Sequence, residues 1–199
     1  MKLTDDVGIV IRLAGQQRGV FSKADLQTTL SERHRGAFLR RVRALIAQGT
    51  LRRFCRGYYV AEPFDLLTLS QRIEPSSYIS FGTVLAQKLL IGTSPVRQVT
   101  AAKVGRTRTY SAFGHQVEHL GIAAHLDFGH QMVDGIRMAE PEKAVLDVLY
   151  FHLRGRRYPF DIYSDIQFDK LDTRRLKRYL RRYRNPKFLV FARRVLHLA

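Results

Sequence analysis

The residues His115-Gln116-Val117-Glu118-His119 match H-x-x-E-H, an inverted zinc-protease motif. That chemistry needs both histidines on one helix face, one turn apart. Here the string runs from Gly114 to Gly121 through β-prone sequence. Extended, residues four apart stand about 13 Å apart, too far to share a metal. His125, Asp127 and His130 follow without a zinc-ligand spacing. Glu140-Pro141-Glu142-Lys143 offers the carboxylates and lysine of a two-metal nuclease. A nuclease of that kind carries a carboxylate two positions before the lysine, and that position is Pro141. As a helix start, Glu140 and Glu142 are accounted for by the helix dipole. There is no phosphate-cradling glycine loop and no Ser/His/Asp set. The expectation is a protein without catalysis of its own, needing no metal and no cofactor.

Arginines make the stronger case. Residues 31–60 carry 8 basic groups against 1 acidic, net +7. A helix expected over about Gly36–Gln48, ended by Gly49, divides into two faces at 100° per residue. Phe38, Leu39, Val42, Leu45 and Ile46 form the core side. Gly36, Ala37, Arg40, Ala44 and Ala47 lie opposite. Small residues let that backbone approach a groove floor, with Arg40 placed to fork onto a guanine edge. Arg41 and Arg43 sit on the shoulders, where phosphates would pass, and Arg33 and Arg35 lie in the lead-in.

The neighbouring elements that must position this helix are also legible. Ser22 and Asp25 form a capping box, and Phe21 with Leu26 a hydrophobic staple, so a short helix precedes it. Leu51–Phe54 and Tyr58–Val60 flank Cys55-Arg56-Gly57 as a strand–turn–strand wing bearing Arg52, Arg53 and Arg56. A first helix over Thr4–Ala14, with Val7, Val10, Ile11 and Ala14 as its stripe and Gly15 as its stop, completes a winged helix-turn-helix over residues 1–62.

The chain has 199 residues and a formal net charge of +17, which implies a polyanionic partner. A hydrophobic share of 45% suits a folded protein rather than a disordered one. The charge is concentrated at two places. Residues 61–150 are near neutral at net −1, while residues 151–199 carry 14 basic and 4 acidic groups, net +10. The single cysteine excludes an intramolecular disulfide and suits a reducing cytosol. No signal peptide opens the sequence and no run is long enough to cross a bilayer, so a cytoplasmic protein with no membrane partner is expected.

Residues 63–76 read as a connector with a helical piece, Phe64–Gln71. Residues 77–199 read as a second domain of mixed α/β character with a small antiparallel sheet and packed helices, making the chain α+β. Phe81, Val84, Leu85 and Leu89 mark a helix ended by Gly92. Strands are expected at Val96–Lys103, Thr107–Phe113, Gln116–Ile122 and Gly135–Ala139. Pro141 starts an apolar helix whose one carboxylate, Asp147, pairs with Lys143 one turn earlier. Asp172 or Thr173 caps a helix running to Tyr183, and Pro186 starts another. Arg174, Arg175, Lys177, Arg178, Arg181, Arg182 and Arg184 follow one another without an acid. Three fates stand open for this run: DNA backbone contact, an acidic protein partner, or a solvated face.

Three passages give the chain a family likeness: Gly49-Thr50-Leu51-Arg52-Arg53 with Arg56-Gly57-Tyr58-Tyr59; Tyr78-Ile79-Ser80-Phe81; and Met138-Ala139-Glu140-Pro141-Glu142-Lys143-Ala144-Val145-Leu146-Asp147-Val148-Leu149-Tyr150. In these the chain resembles AbiEi, the antitoxin of the bacterial AbiE phage-defence (abortive infection) toxin–antitoxin family. The resemblance implies a DNA-binding antitoxin that represses its own operon by binding double-stranded operator DNA. It also implies a second domain that counters a nucleotidyltransferase-like toxin of the AbiEii type, without a stable complex having to form. It supplies no catalytic residues. The rival readings are a stand-alone winged-helix regulator with a sensing or dimerisation domain and, behind it, a metal-dependent nuclease.

Overall fold

The capping box between Ser22 and Asp25 forms in both directions: the Asp25 amide donates to Ser22 Oγ at 3.1 Å and the Ser22 amide to Asp25 Oδ2 at 2.8 Å. It opens α2 (Lys23–Thr29) in the computed structural model, which describes residues 3–92 and 96–198. Around it fold α1 (Leu3–Gln16), β1 (Val20–Ser22), α3 (Arg35–Ala47), β2 (Arg52–Cys55) and β3 (Tyr58–Val60). The three strands are antiparallel in the order β1-β3-β2, which is the sheet of a winged helix. Phe21, Leu26, Phe38, Val42 and Leu45 bury together beneath it.

Two details depart from the sequence expectation. α1 runs through Gly15 and stops where Arg18 and Gly19 turn left-handed. Only glycine fits at position 19, because a Cβ there would stand 2.3 Å from the Pro63 carbonyl oxygen. Ile11 and Ile46, expected in the core, are 63% and 37% exposed. Gly49 does end α3 as expected, at φ 81°, with the Thr50 amide donating to the Leu45 carbonyl.

The second sheet is wider than the small antiparallel one expected. It has six strands in the order β6-β7-β5-β4-β9-β8. These are β4 (Tyr78–Ile79), β5 (Gln98–Val104), β6 (Arg108–Ala112), β7 (His115–Ile122), β8 (His130–Val133) and β9 (Ile136–Ala139). β5–β7 and β4–β9 pair in parallel, so the sheet is mixed. β4 is two residues long and β8 mostly exposed, so neither leaves an alternating pattern. One face carries α5 (Phe81–Gln87), α6 (Pro141–Leu153), α7 (Thr173–Leu180) and α8 (Pro186–Val195) over the main core. Asp172 and Asn185 cap α7 and α8.

The other face meets α4 (Leu66–Ile73), the helix inside residues 63–76. Val20, Phe54 and Val60 of the winged unit share one apolar cluster with Leu69 of α4 and Val117 of β7. Phe54 meets Phe113 edge-on at 6.3 Å. Arg72 of α4 reaches the Val20 carbonyl at 2.7 Å and Asp25 at 2.9 Å. The winged unit is therefore packed onto the second sheet through α4 rather than hung from a bare linker. Among the described residues, no helix is long and apolar enough to cross a membrane.

Candidate nucleic-acid interface

α3 owes its orientation to its buried stripe. With Phe38, Val42 and Leu45 in the core, Gly36, Arg40 and Ala47 are exposed and Ala37 and Ala44 half-buried. This is the small-residue face read from the sequence. A Cβ added at Gly36 would find nothing nearer than the Arg40 guanidinium at 4.0 Å, so the face is open.

Arg33, Arg35, Arg40 and Arg43 are all exposed, and none makes an ion pair among the described residues. His34 occupies the N-cap position without a side-chain cap bond, and no acid lies in the first turn. Among the described residues, the one carboxylate at this helix start is Glu32, which accepts from the His34 amide at 2.9 Å. Unpaired like charges along one side of a helix repel one another.

Arg41 departs from the phosphate-facing shoulder that the helical period predicts: its Nε donates to Asp6 at 2.8 Å and its Nη1 to the Leu30 carbonyl at 2.8 Å, with Glu32 3.7 Å away. Asp6 is 2% exposed. The hydrogen bond from Arg41 to Asp6 is the main reason its pKa stands above the ordinary arginine value. Arg41 ties α1 to α3 and to the end of α2, and so holds α3 in place. Asp6 gave no sequence signal beyond its place in a first turn, where an acid is usual.

The wing divides in the same way. Arg56 stands exposed at the hairpin tip and Arg53 is exposed on β2, its Nε 3.4 Å from the Cys55 carbonyl. Arg52, expected on the backbone of DNA, instead lies 3.6 Å over the Phe113 ring and 3.2 Å from Glu62. It joins the wing to the turn after β6, a contact across 61 residues of sequence that no local pattern announces. Lys23, which no sequence motif singles out, is exposed at the start of α2, and its amide donates to the Gly57 carbonyl in the wing turn at 2.8 Å, which sets Lys23 beside the wing tip.

In the tail, Arg174, Lys177, Arg178, Arg181, Arg182 and Arg184 are exposed on and after α7. Arg175 is not free for a partner: it bridges Glu140 at 3.6 Å and Glu142 at 3.3 Å. Arg178 and Arg182 lie 5.4 Å over Tyr179 and 5.1 Å over Phe128, so their stems cover apolar surface while their charges stay in water.

The histidine string is taken apart by β7. His115 packs on Phe64, and His119, 1% exposed, bonds Ser70 Oγ at 3.0 Å. Glu118 points to the opposite face and pairs with both nitrogens of the Arg156 fork. Among the described residues no group of three potential metal ligands gathers. Lys143 and Asp147 pair as expected, but at full burial, with Ser80 and Tyr78 also donating to Asp147.

No family model and no curated protein matches this chain. Its fold is similar to the crystal structure of the RV2827C protein from Mycobacterium tuberculosis. The TM-score is 0.64 at 16% identity, over 95% of this chain and 75% of that one. At that identity the likeness concerns the fold alone.

Proposed function

We propose that this chain is a DNA-binding antitoxin that represses its own operon, with α3 in the major groove and the wing tip on the adjacent backbone. One observation carries the DNA part. Arg33 and Arg35 stand at the start of α3, Arg40 and Arg43 stand further along its exposed side beside small residues, and none of the four makes an ion pair among the described residues. Arg40 is the base reader. Arg33, Arg35, Arg43, Arg53, Arg56 and Lys23 are phosphate contacts. Arg41 and Arg52 serve by fixing α3 and the wing, and the basic face of α7 is a second region for a polyanion.

The antitoxin part rests on the likeness to AbiEi and on the Met138–Tyr150 passage. Its partner is a nucleotidyltransferase-like toxin, and the site of action is the cytoplasm. The test is co-expression with the product of the neighbouring reading frame, alongside a reporter driven by the chain's own promoter. Growth rescue together with reporter repression supports the reading. Repression without rescue leaves a stand-alone regulator, and loss of both overturns it.

A further inference from the structure

A cavity of about 430 Å³ opens between the start of α5, strand β5 and the segment that follows α6. We infer that it is a binding site for a small aromatic carboxylate. Its size falls in the range of small-molecule sites, and its walls divide by chemistry.

One wall is a planar apolar surface. Tyr158 and Phe160 stack at 5.2 Å with 25° between their planes. The Tyr158 hydroxyl donates to the Val148 carbonyl at 3.2 Å, so that ring is fixed in place. Gly82 keeps the space beside Phe160 clear, since a Cβ there would lie 3.1 Å from the ring. Flat rings held at a cavity edge favour a flat guest.

The remaining lining residues bring donors beside those rings, with the Arg156 guanidinium 5.5 Å over Tyr158. Arg156 lines the cavity with its fork taken up by Glu118, so that pair is close to neutral. Its Nε is buried beneath the cavity surface and finds no acceptor among the described residues, so it is not itself presented to a guest. Thr83 Oγ1 accepts from the Thr100 amide at 3.1 Å, which leaves its own proton to give. Arg157 lines the cavity, is exposed, and makes no ion pair among the described residues. No carboxylate lies among the described lining residues. The uncompensated charge among the lining residues is therefore close to one positive unit. That matches a monoanion, where a phosphate dianion would bring an excess.

The test is isothermal titration of the full chain with benzoate and indole-3-acetate at near-physiological salt, with benzamide as the neutral isostere. Saturable one-to-one binding of either acid, at about 1 mM or tighter, is expected. Benzamide should bind about tenfold more weakly than benzoate. Arg157→Ala, which changes an exposed side chain, should weaken acid binding about fivefold or more. Gly82→Val should abolish it by pressing on Phe160, with circular dichroism confirming that the variant is folded. No saturable binding of either acid up to about 10 mM overturns the proposal. So does equal binding of benzamide and benzoate, or acid binding unchanged in both variants.

Discussion

Replacing Asp147 by leucine separates scaffold from surface in the second domain. Asp147 is 1% exposed and accepts from Lys143, from Ser80 Oγ at 2.7 Å and from the Tyr78 hydroxyl at 3.2 Å. Lys143 is fully buried, 4.7 Å from the Phe128 ring centre, with the Tyr183 hydroxyl at 3.3 Å. Asp147→Leu therefore strands an ammonium in an aromatic cage together with two hydroxyl donors. Removing one partner of a buried pair costs about 3–5 kcal/mol. For a chain of this length that lowers Tm by about 6–20 °C, at about 2–4 °C per kcal/mol. The double variant Lys143→Met, Asp147→Leu removes both charges and should regain most of the loss. Differential scanning calorimetry of the two variants and the parent decides the matter. A single variant within about 1 kcal/mol of the parent, or a double variant as unstable as the single, refutes the reasoning. If growth rescue vanishes while Tm holds, Asp147 belongs to a functional surface instead.

Three further outcomes follow from the same geometry. Burial beneath α4 holds the His119 pKa below its ordinary value of 6.5, so the unfolded chain takes up the proton first. Stability from this site is complete above 6.5 and falls as pH drops below it. Melts from pH 8 to pH 5 should show that loss in the parent and less of it in His119→Gln, while Glu74, lowered by its hydrogen bond from Lys103, matters only below 4.5. Arg43→Ala and Arg56→Ala should each reduce the salt slope of DNA binding by about one, whereas Arg41→Ala should lower Tm instead. A fragment ending at residue 62 exposes Val20, Phe54 and Val60, and should melt at lower temperature than one ending at 76, which keeps Leu69 of α4 over them.

Legibility in the sequence followed the range of the interactions. The capping box at Ser22, the Gly49 stop, the wing turn and the Pro141 helix start are set by residues within one turn of each other, and they stand where the pattern put them. The exposed small face of α3 was legible for the same reason, since helical period alone places it opposite Phe38 and Val42. The contacts of Arg41 and Arg52 are not legible in sequence because their partners, Asp6 and Phe113, lie 35 and 61 residues away in the chain. An arginine on a helix shoulder reads the same whether it meets phosphate or a buried carboxylate. The parallel pairing of β5 with β7 escaped for a related reason: a strand pattern states which face is apolar and leaves the neighbour open.

The central claim, that α3 reads DNA through Arg40, is tested most directly by fluorescence anisotropy at one fixed salt concentration. Parent and Arg40→Ala would each be titrated onto the DNA upstream of the chain's own gene and onto a scrambled duplex. The account predicts that the parent prefers the upstream DNA. It predicts that Arg40→Ala loses about 1–3 kcal/mol on that DNA and almost nothing on the scrambled one. Equal losses on both would make Arg40 a phosphate contact, and no loss on either would remove α3 from the groove.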